Sequence, residues 1–284
     1  MSDERLGIAL SGLWSFFKRG IVYLLLFLLT LPACSGGADQ VILVSQVYPV
    51  ETDVPIAIDI NNGHINISNG IGGQVTLGGS VKSQNSQQPS AVLESDRFFI
   101  SSDDSSTMFN LDLQVPSGAW INIDTYGATI TVRDFVGDLD ITSAAGDIEI
   151  DNMNGKAVVR ANRGDVTIEY STGEFHLPGN YGLLNLKDVS GDINASTIMG
   201  TIRYEGHLTA SDRINFETDH GPVETWLDPA SDVTVMVKTT TGVTYCVVPG
   251  LNPDGAGCKG QLGNGDGLLQ IRTVSGEVNL KLIP

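Results

Sequence analysis

Glycine recurs at Gly137, Gly146, Gly155, Gly164, Gly173, Gly182, Gly191 and Gly200, once every nine residues. Nine residues are too few to close a core of their own, so each unit must bury its apolar face against its neighbours. The units also share an internal pattern, as in Gly137-Asp-Leu-Asp-Ile-Thr, Gly146-Asp-Ile-Glu-Ile-Asp and Gly164-Asp-Val-Thr-Ile-Glu. Apolar and polar residues alternate over about five positions, which is the period of a strand with one buried face. A glycine before each strand supplies a corner, where positive φ carries no Cβ penalty. The expected fold is an all-β, single-domain β-solenoid of short parallel coils, with about nine residues per strand-plus-turn unit.

Composition agrees with a narrow core. Glycine numbers 33 and aromatics are 7% of 284 residues, so Ile, Val and Leu must fill the interior. Alternation starts at Pro55 with Ile56, Ile58 and Ile60, returns after the polar stretch 82–90, and persists loosely beyond Gly200 to the motif Gly276-Glu-Val278-Asn-Leu280. The number of strands per coil is open between two and three. A coil of 18 residues stacks Asp138, Lys156, Glu174 and Asp192, whereas one of 27 stacks Asp138, Asp165 and Asp192, three like charges about 4.8 Å apart. The compensating lysine favours two strands.

The N-terminus carries an address. Lys18 and Arg19 precede the apolar run from Ile21 to Leu31, which is followed by Leu31-Pro32-Ala33-Cys34. The run is shorter than the ~20 residues needed to span a bilayer and fits the h-region of a signal peptide. The tetrapeptide resembles a bacterial lipobox, whose cysteine is lipidated and becomes the new N-terminus. The expected division is a lipoprotein signal peptide over 1–33, a lipidated tether over 34–49 and the solenoid over 50–284. An uncleaved anchor helix starting near Leu6 is the alternative. Either reading places the remainder outside the cytoplasm, attached to a bacterial membrane in the cell envelope.

Three basic and two acidic residues precede Cys34, which leaves 13 and 31 after it, a net charge of −18. Such a surface repels phosphate backbones and anionic headgroups, which argues against nucleic acid as a partner and leaves membrane contact to the anchor.

The segments Val115-Pro116-Ser-Gly118-Ala-Trp-Ile121-Asn-Ile123, Ser190-Gly191-Asp-Ile193 and Val274-Ser275-Gly276-Glu-Val278 look like the bacterial putative-adhesin domain of unknown function, a β-strand-repeat family. The resemblance covers about residues 50–284. It implies an envelope-attached protein without an established catalytic site, and some members are linked to cell-envelope stress systems.

Individual residues add little chemistry. Cys246 and Cys258 bracket a Gly/Pro-rich loop and outside the cytoplasm are expected to form a disulfide, free thiols being the alternative. The acidic residues after the glycines, Asp138, Asp147, Asp165, Glu174, Asp192 and Glu277, read as a solvated edge or as a column for calcium, with the edge favoured. The turn Gly263-Asn-Gly-Asp266-Gly267 resembles a calcium nonapeptide but occurs once. His64, His176, His207 and His220 lack metal-ligand spacing, so neither a metal nor another cofactor is expected. No motif for a nucleophile or phosphate loop is present. The chain therefore reads as a non-catalytic cell-surface lipoprotein for adhesion or envelope-polymer binding. Two alternatives stay open: an envelope-stress regulator that meets cationic antimicrobial peptides, and a β-helical polysaccharide lyase or hydrolase using such carboxylates as Asp138 or Asp192.

Overall fold

A computed structural model describes residues 40–51, 53–83, 90–94, 97–102 and 107–284. Cys34 and the proposed signal peptide lie outside these residues. The fold is the expected all-β solenoid, and its register settles the strand count. Ile148 pairs with Ile130 on one side and Val166 on the other, while Gly155 pairs with Gly137 and Gly173, so one coil is 18 residues and two strands. The 27-residue alternative is overturned.

Two sheets face each other across the core. From the N-terminal end, the first contains Gln40–Pro49, Gln74–Ser83, Met108–Val115, Gly63–Asn69, the first halves of Thr129–Ser143 and Ile148–Ala161, then Val166–Glu169, Leu183–Lys187, Thr201–Gly206, Val223–Leu227, Val278–Leu282 and Thr244–Val247. The second contains Ser90–Leu93, Phe98–Ser101, Ile56–Asp59, Ala119–Thr125, the second halves of the two long strands, then Thr172–Pro178, Ser190–Thr197, Arg213–Thr218, Gly267–Thr273, Val233–Thr239, Gly257–Leu262 and Leu251–Asp254. The two long strands run through a corner and join the sheets.

Alternate residues point inward and stack by type. Ile130, Ile148, Val166, Leu184 and Ile202 form one buried column, and Leu139, Ala157, Phe175 and Ile193 another. Where a large ring enters, its neighbour is small: Phe175 lies beside Ala157, and Phe216 beside Ala195. Such complementary volumes keep the gap between the sheets constant at native packing density.

The nine-residue period is half a coil, and its two halves turn differently. At the first corner Asp134, Asn152, Tyr170 and Asp188 take left-handed conformations with φ of 50°, 54°, 49° and 50°. Asp and Asn tolerate that region, and Tyr170 is the strained member. The glycines carry a second constraint beyond the expected one. Gly155 does have φ of 147°, yet Gly146 is not left-handed; a Cβ on Gly146 would lie 1.9 Å from the Ala128 carbonyl oxygen, and one on Gly155 2.0 Å from that of Gly137. Close approach of successive backbones leaves no room for a side chain at Gly146 or Gly155, although an earlier coil carries Ala128 and Ala119 at the corresponding places.

Chain order and stacking order part company at the ends. The first coil, Ile56–Asp59 with Gly63–Asn69, is inserted beneath the later coil formed by Phe98–Ser101 and Met108–Val115. Likewise the last, Gly267–Thr273 with Val278–Leu282, slots between Arg213–Leu227 and the coil of Val233–Thr239 and Thr244–Val247. The loosened spacing after Gly200 has two causes. The step lengthens to 21 at Asp192–Arg213, and the chain then builds the outer coil before the inner one. The end strands are antiparallel, which departs from the expectation of parallel coils throughout. Gln40–Pro49, expected in the tether, is one of them: its alternation buries Val44 and Tyr48 against the first sheet, so the folded unit starts at Gln40.

Candidate functional site

The second corner is built by a hydroxyl and a glycine three residues apart. Ser143 Oγ accepts a bond from Gly146 N at 2.9 Å, and the same bond joins Thr197 to Gly200 (2.9 Å), Thr218 to Gly221 (2.9 Å), Thr273 to Gly276 (2.6 Å) and Thr239 to Gly242 (2.8 Å). Thr125 does so with Ala128 at 3.0 Å. These hydroxyls point inward, and Thr125, Ser143, Thr197, Thr218 and Thr273 are all buried. Their neighbours on either side must therefore point out.

Two outward columns result, with a trough between them. One wall is Asp124, Thr142, Arg160, Pro178, Ser196, Glu217 and Arg272, from the ends of the second sheet's strands. The other is Tyr126, Ala144, Asn162, Asn180, Ile198, Asp219 and Val274, from the corner itself. The concavity is shallow and open, and its two stretches share Pro178 and Asn180, so it continues along the solenoid axis. Its backbone is firm: Ala144 N donates to Thr125 O at 3.2 Å, Asn162 N to Ser143 O at 3.0 Å and Val274 N to Thr218 O at 3.1 Å. Asn180 Nδ2 donates to Asn162 Oδ1 at 2.9 Å, linking two successive coils. Arg160 is ion-paired with Asp140, and Arg272 with Glu217 at 3.1 Å. Tyr126 stands 64% exposed at one end of the trough.

The repeat glycines Gly146 and Gly200 help to build this corner, but the acidic residues and histidines singled out in the sequence do not line the trough. Asp138, Lys156, Glu174 and Asp192 form one column on the outer face of the second sheet, with Lys156 Nζ 3.3 Å from Glu174. Asp147 and Asp165 belong to the second corner, directly after Gly146 and Gly164, but do not line the trough; they serve the backbone: Asp147 Oδ1 accepts from Asp165 N at 2.9 Å, and Asp165 Oδ1 from Leu183 N at 2.8 Å. Among the described residues no three His, Cys, Asp or Glu side chains converge on a point that could hold a metal. The Gly263–Gly267 turn is organised by Asp232, whose Oδ1 accepts from Gly265 N at 2.7 Å and Asp266 N at 3.2 Å. His64 meets Asn110 at 3.1 Å and His220 meets Ser275 at 2.7 Å, on opposite parts of the surface.

Cys246 and Cys258 are bonded in the structure, with Cα atoms 6.5 Å apart. The bond ties the last strand of the first sheet to the antiparallel hairpin that closes the second. Sequence reasoning missed the trough. Its signal was legible as Ser/Thr-x-x-Gly at 143–146, 197–200, 218–221, 239–242 and 273–276, in the tails between the strands.

No curated protein matches the chain. Among solved structures, a putative cell adhesion protein from Clostridium sporogenes is 13% identical, with a TM-score of 0.30 over 85% of this chain and 100% of that one. A putative adhesin from Bacteroides fragilis is 14% identical, with a TM-score of 0.48 over 85% and 97%. The Toastrack DUF4097 family matches residues 41–281, nearly the whole described region, and the chain belongs to that family.

Proposed function

We propose that the protein is a cell-surface lipoprotein, held to a bacterial membrane through Cys34, whose solenoid is a non-catalytic binding element for adhesion or for envelope polymers. The observation that carries this reading is the open trough along the axis. It repeats its backbone corner with every coil while the lining side chains change, it runs past several coils as suits an extended polymer, and it does not enclose a small substrate. The N-terminal pattern supports the location: the short apolar run and Leu31-Pro32-Ala33-Cys34 come before the first described strand, which begins at Gln40, six residues after the cysteine. Two or three acyl chains anchor such a protein stably, where one holds only marginally.

Fractionation tests the anchor and co-sedimentation tests the binding. Cys34→Ala should move the protein from the membrane to the soluble fraction, while the full chain should sediment with isolated cell-wall material. Binding that instead requires a cationic peptide, and weakens steeply with salt, would favour the stress-regulator reading that the −18 surface also supports.

A further inference from the structure

We infer that the second-corner trough is a binding site for a linear, uncharged polysaccharide lying parallel to the solenoid axis. The inference rests on the polymer-binding reading above and names the site and the ligand class.

Four features of the trough select this chemistry. Its axial repeat is the strand spacing, about 4.8 Å, and a hexopyranose in an extended chain advances by a similar distance, so successive sugars meet successive coils. The Asn162–Asn180 bond leaves donor capacity at Asn162 Nδ2 and acceptor capacity at Asn180 Oδ1, a set suited to vicinal hydroxyls. The exposed ring of Tyr126 offers an apolar platform with a polar tip for the flat face of a sugar. Ile198 and Val274 extend apolar contact into the second stretch of the trough.

Charge decides between sugars. Both arginines that line the trough are held by carboxylates, Arg160 by Asp140 and Arg272 by Glu217. Those pairs offset the arginine charge, and an anionic chain would in addition face the carboxylates Asp124 and Asp219 along the same walls. A neutral chain leaves the pairs in place and can use the outer edges of the same guanidinium groups as donors.

The test is calorimetric titration of the full chain in detergent with neutral hexasaccharides of β-linked glucose, mannose and N-acetylglucosamine, and with hexalysine. Two kinds of trough variant are needed: Tyr126→Ala with Asn162→Ala removes contacts, and Ala144→Arg obstructs the trough without removing any. Asn185→Ala, on the outer face of the other sheet, is the control. Saturable binding of at least one neutral hexasaccharide, weakened at least tenfold by both trough variants and unchanged in the control, is the expected result. Binding to cell-wall material or to a hexasaccharide that ignores both trough variants would overturn this site while leaving the polymer-binding function standing. Binding of hexalysine alone would overturn both.

Discussion

Thr225 occupies a position whose pattern demands an apolar residue. It stacks between Tyr204 and Leu280 in the inward column of the first sheet, fully buried, and its hydroxyl has no hydrogen-bond partner. A buried unsatisfied polar group costs about 1–3 kcal/mol, so Thr225→Val, equal in shape, should raise stability by about that amount in a denaturant titration. Tyr204 handles the same problem differently. Its hydroxyl donates to Val189 O at 3.1 Å, and burial, with Asp212 and Asp188 nearby, pushes its ionisation well above the ordinary phenol range. Below about pH 10 the phenol is protonated in both states and has no effect on the pH dependence. As pH rises beyond that, the unfolded chain releases a proton that the folded one retains, and stability must fall. Tyr48, raised by burial, acts in the same direction. Tyr204→Phe should cost about 1 kcal/mol at pH 8 through the lost hydrogen bond and should flatten the decline measured between pH 10 and 11. Inward residues were legible from alternation alone, because a period of two assigns a face. Whether a given hydroxyl finds a carbonyl was not, since the partner of Tyr204 lies at a corner of the preceding coil.

At the scale of the element, the corner glycines separate two physical demands that one residue type conceals. Gly118 is left-handed at φ of 84° with open space where a Cβ would go, whereas Gly146 has an ordinary backbone and the Ala128 oxygen 1.9 Å from that place. Gly118→Ala should therefore cost about 1 kcal/mol of conformational strain. Gly146→Ala should cost about 3 kcal/mol or more, because backbone on backbone cannot relax as a side chain would. Urea midpoints of the two variants would check the ranking, and a larger loss at Gly118 would refute it. The glycine period itself displayed the solenoid, but the sequence reading attributed it to φ. Contacts between coils appear only once the register is known. The same gap hid the trough, whose hydroxyl-to-glycine bonds are local in sequence but acquire a direction only when the neighbouring strands are assigned to sheets.

For the whole molecule, register and end topology decide which changes of length are tolerated. Coils interact with their immediate neighbours, so stability is close to a sum of coil and interface terms. Removing 18 residues, 137–154, joins Val136 to Gly155 and presents every downstream strand to the sheet it already occupies. Ile121 would then meet Ala157, and Ile123 would meet Val159, with no overpacking. Removing nine, 137–145, joins Val136 to Gly146 and preserves the local glycine pattern equally well. It nevertheless sends Ile148 and Ile150 into the second sheet and exchanges the sheets of every strand that follows. The exchange reaches the C-terminal coil, which is clamped between Arg213–Leu227 and an outer coil held by Cys246–Cys258, and there the antiparallel hairpin would meet the wrong sheet. The 18-residue deletion should yield a folded protein, shorter by about one strand spacing of 4.8 Å in small-angle scattering, with a cooperative thermal transition. The nine-residue deletion should yield an aggregated or uncooperative one. Equal folding of both would mean that the halves of a coil are interchangeable, which the two distinct corners forbid.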